Sequence, residues 1–157
     1  MTSQLSRNRS PRRTFLKQSA AMAGTALVAT QTGVPLVHGG GDDTLKVGLI
    51  GCGGRGSGAA LNATRESNRA VLTAMAELFP DRAEAAKVRL KAALGERYQV
   101  KDEMCFCGFD GYKQLLETDV DVVLLCTPPH FRPVQLEAAV NAGKHIFCEK
   151  PVAVDPT

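Results

Sequence analysis

A short apolar stretch runs directly into a glycine-rich turn, and this junction constrains the fold more than any other feature of the chain. The stretch Leu45–Ile50, LKVGLI, is rich in branched residues, which is typical of a buried parallel strand. Gly51, Gly53 and Gly56 follow with the spacing G-x-G-x-x-G. A strand, a glycine turn and the start of a helix in this order predict the first unit of a doubly wound α/β sheet that binds a dinucleotide.

Each glycine of this loop meets a different steric demand of a bound dinucleotide. Gly51 permits the tight turn, Gly53 lets a pyrophosphate approach the backbone, and Gly56 lets the next helix pack against the sheet. The phosphates would lie at the helix N-terminus, beside Gly54, where unpaired N–H groups favour an anion. Arg55 either lies beside the cofactor or is a solvated surface charge. A glycine turn without a ligand is the alternative to the whole site.

An acidic residue ends the second predicted strand, Ala70–Glu77. Glu77 lies 26 positions after Gly51, beyond the usual spacing of about 20. Its carboxylate would bind the ribose diol of the adenosine half and repel a 2′-phosphate. The sequence therefore predicts NAD as the cofactor, with NADP less favoured.

Strand and helix patterns alternate along the rest of the chain. Helices are predicted for residues 55–66, 80–94, 111–117 and 133–142. Further strands are predicted within residues 99–107 and at 120–126 and 144–148. Strands separated by helices of this length indicate parallel crossovers, and hence a Rossmann-like, doubly wound parallel sheet.

The first 41 residues predict an export signal ahead of the Rossmann domain, which we expect at residues 42–157. Arg12 and Arg13, followed by TFLK and a mild apolar stretch, resemble the twin-arginine signal that hands folded proteins to the export machinery. That stretch is short and diluted by Gly and Thr, whereas a membrane anchor needs about 20 apolar residues. We therefore expect a periplasmic protein without a stable membrane anchor. A disordered basic tail is the alternative.

Charge and cysteine content exclude several function classes. The net charge of +3 is small and concentrated in the basic N-terminus, and two Tyr with no Trp offer no stacking platform, so no nucleic-acid partner is expected. The number of cysteines, five, is odd, which argues against a disulfide framework and favours structural thiols. The pair Cys105 and Cys107 has neither the spacing nor the partners of a zinc site, so no metal is expected.

Polar residues follow the fourth and fifth predicted strands, in the segments CTPPHFR and FCEKP. Ligands of an open parallel sheet bind beyond the carboxyl ends of its strands. Pro128 and Pro129 stiffen the first of these turns. The candidate residues at these two strand ends are Thr127, Pro128, His130, Glu149 and Lys150.

The motifs GCGGRG, DVVLLCTPPHFRP and AGKHIFCEKP, in this order, resemble the Gfo/Idh/MocA family of glucose–fructose oxidoreductases and inositol dehydrogenases. The resemblance covers residues 45–157. It implies an N-terminal Rossmann domain, followed by a larger α/β domain that covers the active site. It also implies hydride transfer between a nicotinamide and a hydroxyl carbon of a sugar or cyclic polyol.

The resemblance assigns roles to the residues at the strand ends. Lys150 of the Glu-Lys-Pro motif becomes the catalytic residue, since an ammonium beside the reacting hydroxyl stabilises the developing alkoxide. Glu149 would contact the ribose on the nicotinamide side, and Thr127, Pro128 and His130 would line that side. For His130 a purely structural role stays open.

In the family the general base is a His paired with an Asp, and both belong to the second domain. The full-length form is expected to be a homo-oligomer. Asp155 and Pro156 read as the start of a further helix, so we expect the chain to be cut at the domain crossover.

Two other functions stay open beside an NAD-dependent oxidoreductase. One is an NAD-dependent glycosidase of the same family, and the other is a non-catalytic NAD-binding module.

Overall fold

Branched and apolar residues form five strands in the computed structural model, which describes residues 44–155. The strands are β1 (Leu45–Ile50), β2 (Ala70–Glu77), β3 (Cys105–Cys107), β4 (Val122–Leu125) and β5 (His145–Cys148). The helices are α1 (Gly54–Glu66), α2 (Pro80–Leu94), α3 (Gly111–Leu116) and α4 (Arg132–Asn141). Short 3₁₀ turns lie at Gly95–Arg97 and Asp102–Met104.

The sheet is entirely parallel, with the strand order β3-β2-β1-β4-β5. From β1 the chain moves outward through β2 and β3, then returns to place β4 on the other side of β1. The loops after β1 and β4 therefore diverge, and a crevice opens at this switch point, where open α/β sheets bind ligands. The predicted Rossmann-like fold class is confirmed.

Helices cover both faces of the sheet, and the core accordingly has two halves. Leu49 of β1 packs in one half with Leu90 of α2, and both side chains are fully buried. The neighbouring Ile50 packs in the other half with Leu115 of α3 and Ala139 of α4. Because β1 is buried on both faces, its sequence reads as a continuous apolar stretch without polar alternation.

The predicted boundaries of β1, β2 and α2 agree with the structure, whereas the third strand is much shorter than its predicted region. Only Cys105–Cys107 pairs with β2 as a strand, while Tyr98 makes an isolated bridge to Leu72. A 3₁₀ turn occupies Asp102–Met104 between them. The fourth strand, predicted to end at Cys126, ends at Leu125, although the Cys126 N–H still donates to the Ile50 carbonyl (2.8 Å).

Within residues 44–155 no helix is both long and apolar enough to cross a membrane. The predicted twin-arginine signal lies outside the described residues. Asp155 lies in a bend, and the residues that would continue the predicted helix after it also lie outside the described part of the chain.

Candidate functional site

A cleft of about 820 Å³ lies at the carboxyl ends of β1, β2 and β4. This volume is within the range of ligand pockets, roughly 300–1,000 Å³. Its lining contains the predicted loop residues 51 and 53–56, together with Glu77, Thr127, Pro128 and His130. Glu149 and Lys150 follow β5 and are not part of the lining. The fold thus brings nine of the eleven predicted site residues to one cleft.

Two glycines of the loop lie where a side chain has no room. Gly51 has a φ of +89°, and a Cβ there would lie 2.8 Å from the Thr127 nitrogen of the neighbouring strand end. A Cβ on Gly56 would lie 1.8 Å from the carbonyl oxygen of Gly51, so α1 packs directly on the turn that precedes it. By contrast, nothing lies within 4 Å of a Cβ on Gly53. The loop is therefore closed on the sheet side and open on the cleft side.

The N-terminus of α1 opens toward an anion site. Gly53 occupies the N-cap position and offers no side-chain cap, and the first turn contains no acidic residue. The first N–H groups of a helix have no carbonyl of their own helix to bind. Those of Gly54, Arg55 and Gly56 can therefore donate to a phosphate, which the helix dipole also favours.

Glu77 is fixed to the glycine loop by backbone hydrogen bonds. Its carboxylate accepts from the Cys52 N–H (2.7 Å), the Leu78 N–H (2.9 Å) and the Phe79 N–H (3.4 Å). These bonds occupy three of the roughly four acceptor positions of a carboxylate. One position remains for a ribose hydroxyl, and the negative charge is held in the cleft wall.

Arg89, a residue that the sequence did not indicate, binds the glycine loop from α2. Arg89 of α2 donates from Nη2 to the Cys52 carbonyl (3.2 Å) and to the Ser57 hydroxyl oxygen (2.6 Å). The Ser57 hydroxyl itself donates to the Cys52 carbonyl (3.1 Å). Nothing in the local sequence around Arg89 indicates these partners, which lie 32 and 37 residues away along the chain.

Arg55 forms an ion pair with Glu149 across the ends of β1 and β5. The Glu149 side chain is 7% exposed and that of Arg55 is 60% exposed. The Arg55 guanidinium lowers the pKa of Glu149 below its ordinary value, so this carboxyl stays ionised. Arg55 is thus exposed and also lines the cleft, and its place beside the cofactor stays a prediction.

The turns after β4 and β5 are joined by a second residue that sequence reasoning missed. Arg132, the first residue of α4, is only 6% exposed. Its guanidinium contacts the backbone of Thr127 and of Glu149 and Pro151. Lys150, between the last two, is exposed, and its peptide bond to Pro151 is cis.

Aromatic side chains form an apolar rim on the cleft. Phe79 and Phe109 line it and are 46% and 72% exposed. Arg82 also lines the cleft, and its guanidinium lies 4.9 Å from the ring centre of Phe79. Phe131 packs against Phe109 (6.5 Å between ring centres) and edge-on against His130 (5.4 Å). Sequence reasoning missed Phe79 and Phe109, although their positions shortly after β2 and β3 are a signal that could have indicated them.

The cysteines of residues 44–155 are all free thiols. Cys52 is buried beneath the loop, and burial raises the pKa of its thiol. Burial likewise raises the pKa of Cys126 to about 11. Both side chains therefore remain protonated and act as small apolar groups. No group of His, Cys, Asp and Glu in this part of the chain could hold a metal ion.

Comparison with known proteins finds a match over nearly all of the described residues. Residues 45–157 match the Gfo/Idh/MocA sequence family, which is described as an oxidoreductase family with an NAD-binding Rossmann fold. The inositol 2-dehydrogenase 4 of Saccharopolyspora erythraea is 33% identical over 111 residues. The alignment covers 71% of this chain and 29% of that relative.

Solved structures of dehydrogenases also match this chain. The crystal structure of scyllo-inositol dehydrogenase from Lactobacillus casei with NAD(H) and scyllo-inositol matches with a TM-score of 0.58 and 30% identity, over 72% of this chain and 30% of that one. A levoglucosan dehydrogenase in complex with NADH matches with a TM-score of 0.57 and 29% identity, over 71% and 29%. The chain thus spans less than a third of the length of these relatives.

Gly56 and Gly58, two of the glycines of α1, provide a matched test of the loop geometry. In Gly56→Ala the new methyl meets the Gly51 carbonyl, so we expect unfolding to become easier by about 1–3 kcal/mol and NAD binding to weaken. In Gly58→Ala nothing lies within 4 Å of the methyl, so we expect a gain of about 0.5–1 kcal/mol from helix propensity and unchanged NAD binding. Urea unfolding and calorimetric titration measure both. Equal behaviour of the two variants would contradict the packing described.

Proposed function

The chain belongs to the Gfo/Idh/MocA oxidoreductase family, and we propose that it is the NAD-binding half of an enzyme that transfers a hydride between nicotinamide and a sugar or cyclic polyol. The observation that carries the proposal is one cleft that combines an open helix N-terminus with a fixed carboxylate, Glu77. The first can bind a diphosphate and the second a ribose diol. Because the chain spans less than a third of its relatives' length, the whole protein's reaction belongs to the proposal.

The substrate class rests on the relatives. One similar structure contains scyllo-inositol together with NAD(H), and the similar sequence is an inositol 2-dehydrogenase. A cyclic polyol presents secondary hydroxyl groups, each of which can be oxidised to a ketone when the hydride passes to NAD and the hydroxyl proton passes to the base that the family resemblance implies in the second domain. We therefore propose inositol or a related polyol, with sugars as the second choice.

Each strand end has a separate task in the proposed reaction. NAD supplies the hydride acceptor. The loop N–H groups would hold its diphosphate, and Thr127, Pro128 and His130 would border its nicotinamide half. The Lys150 ammonium would stabilise negative charge on the substrate oxygen, and Glu149 would orient the ribose next to it. In the free chain Glu149 is paired with Arg55, which keeps its carboxylate ionised.

Cofactor preference provides the direct test of binding. We expect the chain to bind NAD more tightly than NADP by at least about tenfold, because Glu77 repels a 2′-phosphate. Glu77→Ala should narrow this difference. Glu137→Ala, which removes an exposed carboxylate of α4 outside the cleft lining, should leave it unchanged. Titration calorimetry of the three proteins with both nucleotides measures the six affinities needed, and tighter binding of NADP by the wild-type chain would refute the assignment.

Lys150 provides the test of chemistry, in the whole protein that contains this chain. Interactions made mainly in the transition state appear in kcat rather than in cofactor affinity. Lys150→Ala should therefore lower kcat by roughly 10²–10³-fold with little change in NAD affinity. Lys150→Arg should restore little, because a guanidinium is wider than an ammonium.

Lys101→Ala provides the matched control, since Lys101 is exposed and precedes a 3₁₀ turn away from the cleft. Steady-state kinetics with inositol and NAD should show no change in this variant. A Lys150→Ala enzyme with wild-type kcat would remove Lys150 from the reaction.

We also propose export by the twin-arginine route, on the sequence of residues 1–41 alone. Changing Arg12 and Arg13 to Lys should leave a reporter fused after Gly41 in the cytoplasm, since the export machinery reads the arginine pair rather than its charge. Cell fractionation measures the distribution of the reporter. The reporter with the unchanged signal is the control, and equal export of both would exclude this route.

A further inference from the structure

Arg132 is a buried cation whose recorded partners are all carbonyl groups. It is 6% exposed, and the ion pairs recorded within residues 44–155 do not include it. Its Nε donates to the Thr127 carbonyl (2.7 Å), and its Nη1 donates to the Glu149 carbonyl (2.8 Å) and to the Pro151 carbonyl. A buried charge is costly unless its hydrogen bonds are made, and here three backbone carbonyls from two separate chain segments accept from the guanidinium.

The hydrogen bonds of Arg132 lie just beyond the last backbone hydrogen bond between the chains of β4 and β5. The last ladder bond between the two strands runs from the Glu149 N–H to the Leu125 carbonyl (3.0 Å). Beyond it, the chains after β4 and β5 have no strand pairing among the described residues. The Arg132 guanidinium joins Thr127 on one chain to Glu149 and Pro151 on the other, and so replaces the missing ladder contacts.

The two carbonyls on the β5 side flank Lys150 in sequence. Because both accept hydrogen bonds from the same nitrogen, Nη1, the backbone of residues 149–151 bends around the guanidinium. Arg132 lies on the inner side of this bend and is buried, whereas Lys150 is exposed. The direction in which the Lys150 side chain leaves the backbone is therefore fixed from within.

Thr127 receives additional support on the β4 side. Its hydroxyl donates to the side-chain oxygen of Gln135, which is 8% exposed and lies one turn beyond Arg132 on α4. Helix α4 thus holds Thr127 by two of its residues and the β5 turn by one. Through Arg132, the residues on the nicotinamide side and Lys150 share one rigid support.

We propose that Arg132, which is buried in the cleft lining, is a positioning residue for Lys150 that acts by fixing the Glu149–Pro151 turn relative to Thr127. The proposal rests on the function proposed above. Guanidinium geometry is necessary, since a planar group with five donors can bind both chain ends at once, whereas a lysine ammonium is a point donor on a flexible stem. A misplacement of about 1 Å at a reacting group can cost 10²-fold in rate.

The kinetic test compares Arg132→Gln, Arg132→Lys and Arg65→Gln in the whole protein. Arg65 is exposed on the last turn of α1 and serves as the matched control. For Arg132→Gln we expect kcat to fall by roughly 10²-fold relative to the control, while the NADH affinity changes far less, because the glycine loop and Glu77 do not depend on Arg132. Arg132→Lys should regain only a small part of kcat.

Chemical rescue separates positioning from general stability. Guanidinium chloride at millimolar concentration should restore part of kcat in Arg132→Gly, whereas methylammonium chloride at the same ionic strength should not. If folded Arg132→Gln has the same kcat as Arg65→Gln and differs from it only in melting temperature, Arg132 is merely structural and the proposal is overturned.

Measurements on the wild-type chain decide the remaining cases. The Arg132 Nε–H should exchange with water much more slowly than that of Arg65 in nitrogen–proton spectra, and equal exchange would overturn the proposal even if no Arg132 variant folds. If the wild-type protein shows no NAD-dependent turnover, the proposed function fails. The amide exchange of Lys150 then decides the positioning alone: faster exchange in Arg132→Gln supports it, and unchanged exchange refutes it.

Discussion

The contact between Gly56 and the Gly51 carbonyl is the constraint on which the rest of the site depends. It places the first turn of α1 against the end of β1 at a distance that no side chain permits. The same turn brings Gly51 against the Thr127 nitrogen at the end of β4. At this point two adjacent strands and one helix approach each other at backbone distance, and the helix N-terminus opens into the crevice at the switch point of the sheet.

Around this backbone contact, several side chains from other elements bind loop backbone. Glu77 accepts from the Cys52 N–H, and Arg89 donates to the Cys52 carbonyl. Arg132 donates to carbonyls after β4 and β5. Backbone groups at strand ends lack ladder partners and must bind elsewhere. The side chains that bind these backbone groups also define the shape of the cleft. The same hydrogen bonds therefore satisfy the backbone and hold the site in its geometry.

Elements that local sequence signals define were predicted with their correct bounds, whereas an element that depends on contacts distant in sequence was not. The bounds of β1, β2 and α2 agree with prediction because strand composition, Pro80 at a helix start and Gly95 just past its end act locally. The third strand is defined by pairing with the end of β2, over three residues, and no local pattern of that length is sufficient.

The same distinction holds for the site residues. The glycine loop and Glu77 were predictable because their spacing along the chain reflects the chemistry of a dinucleotide. Arg132 was not, because its partners are backbone carbonyls up to 19 residues away, and any residue type has a carbonyl. The turn residues Thr127 and Glu149 carry a sequence signal, whereas the arginine that joins them becomes recognisable only in the fold.

Two side-chain links, Arg55 to Glu149 and Arg132 to backbone carbonyls, connect the end of β5 to residues that line the cleft, and they differ in their response to pH. The Arg55 guanidinium lowers the pKa of Glu149, so the ion pair stabilises the fold above the unfolded pKa of that carboxyl and is lost as pH falls through the folded pKa. Arginine stays charged throughout, so acid breaks this pair only by protonating Glu149. The second link, from Arg132 to backbone carbonyls, contains no group that titrates in this range. Acid therefore releases β5 from the glycine loop while its connection to β4, and with it the turn that contains Lys150, persists.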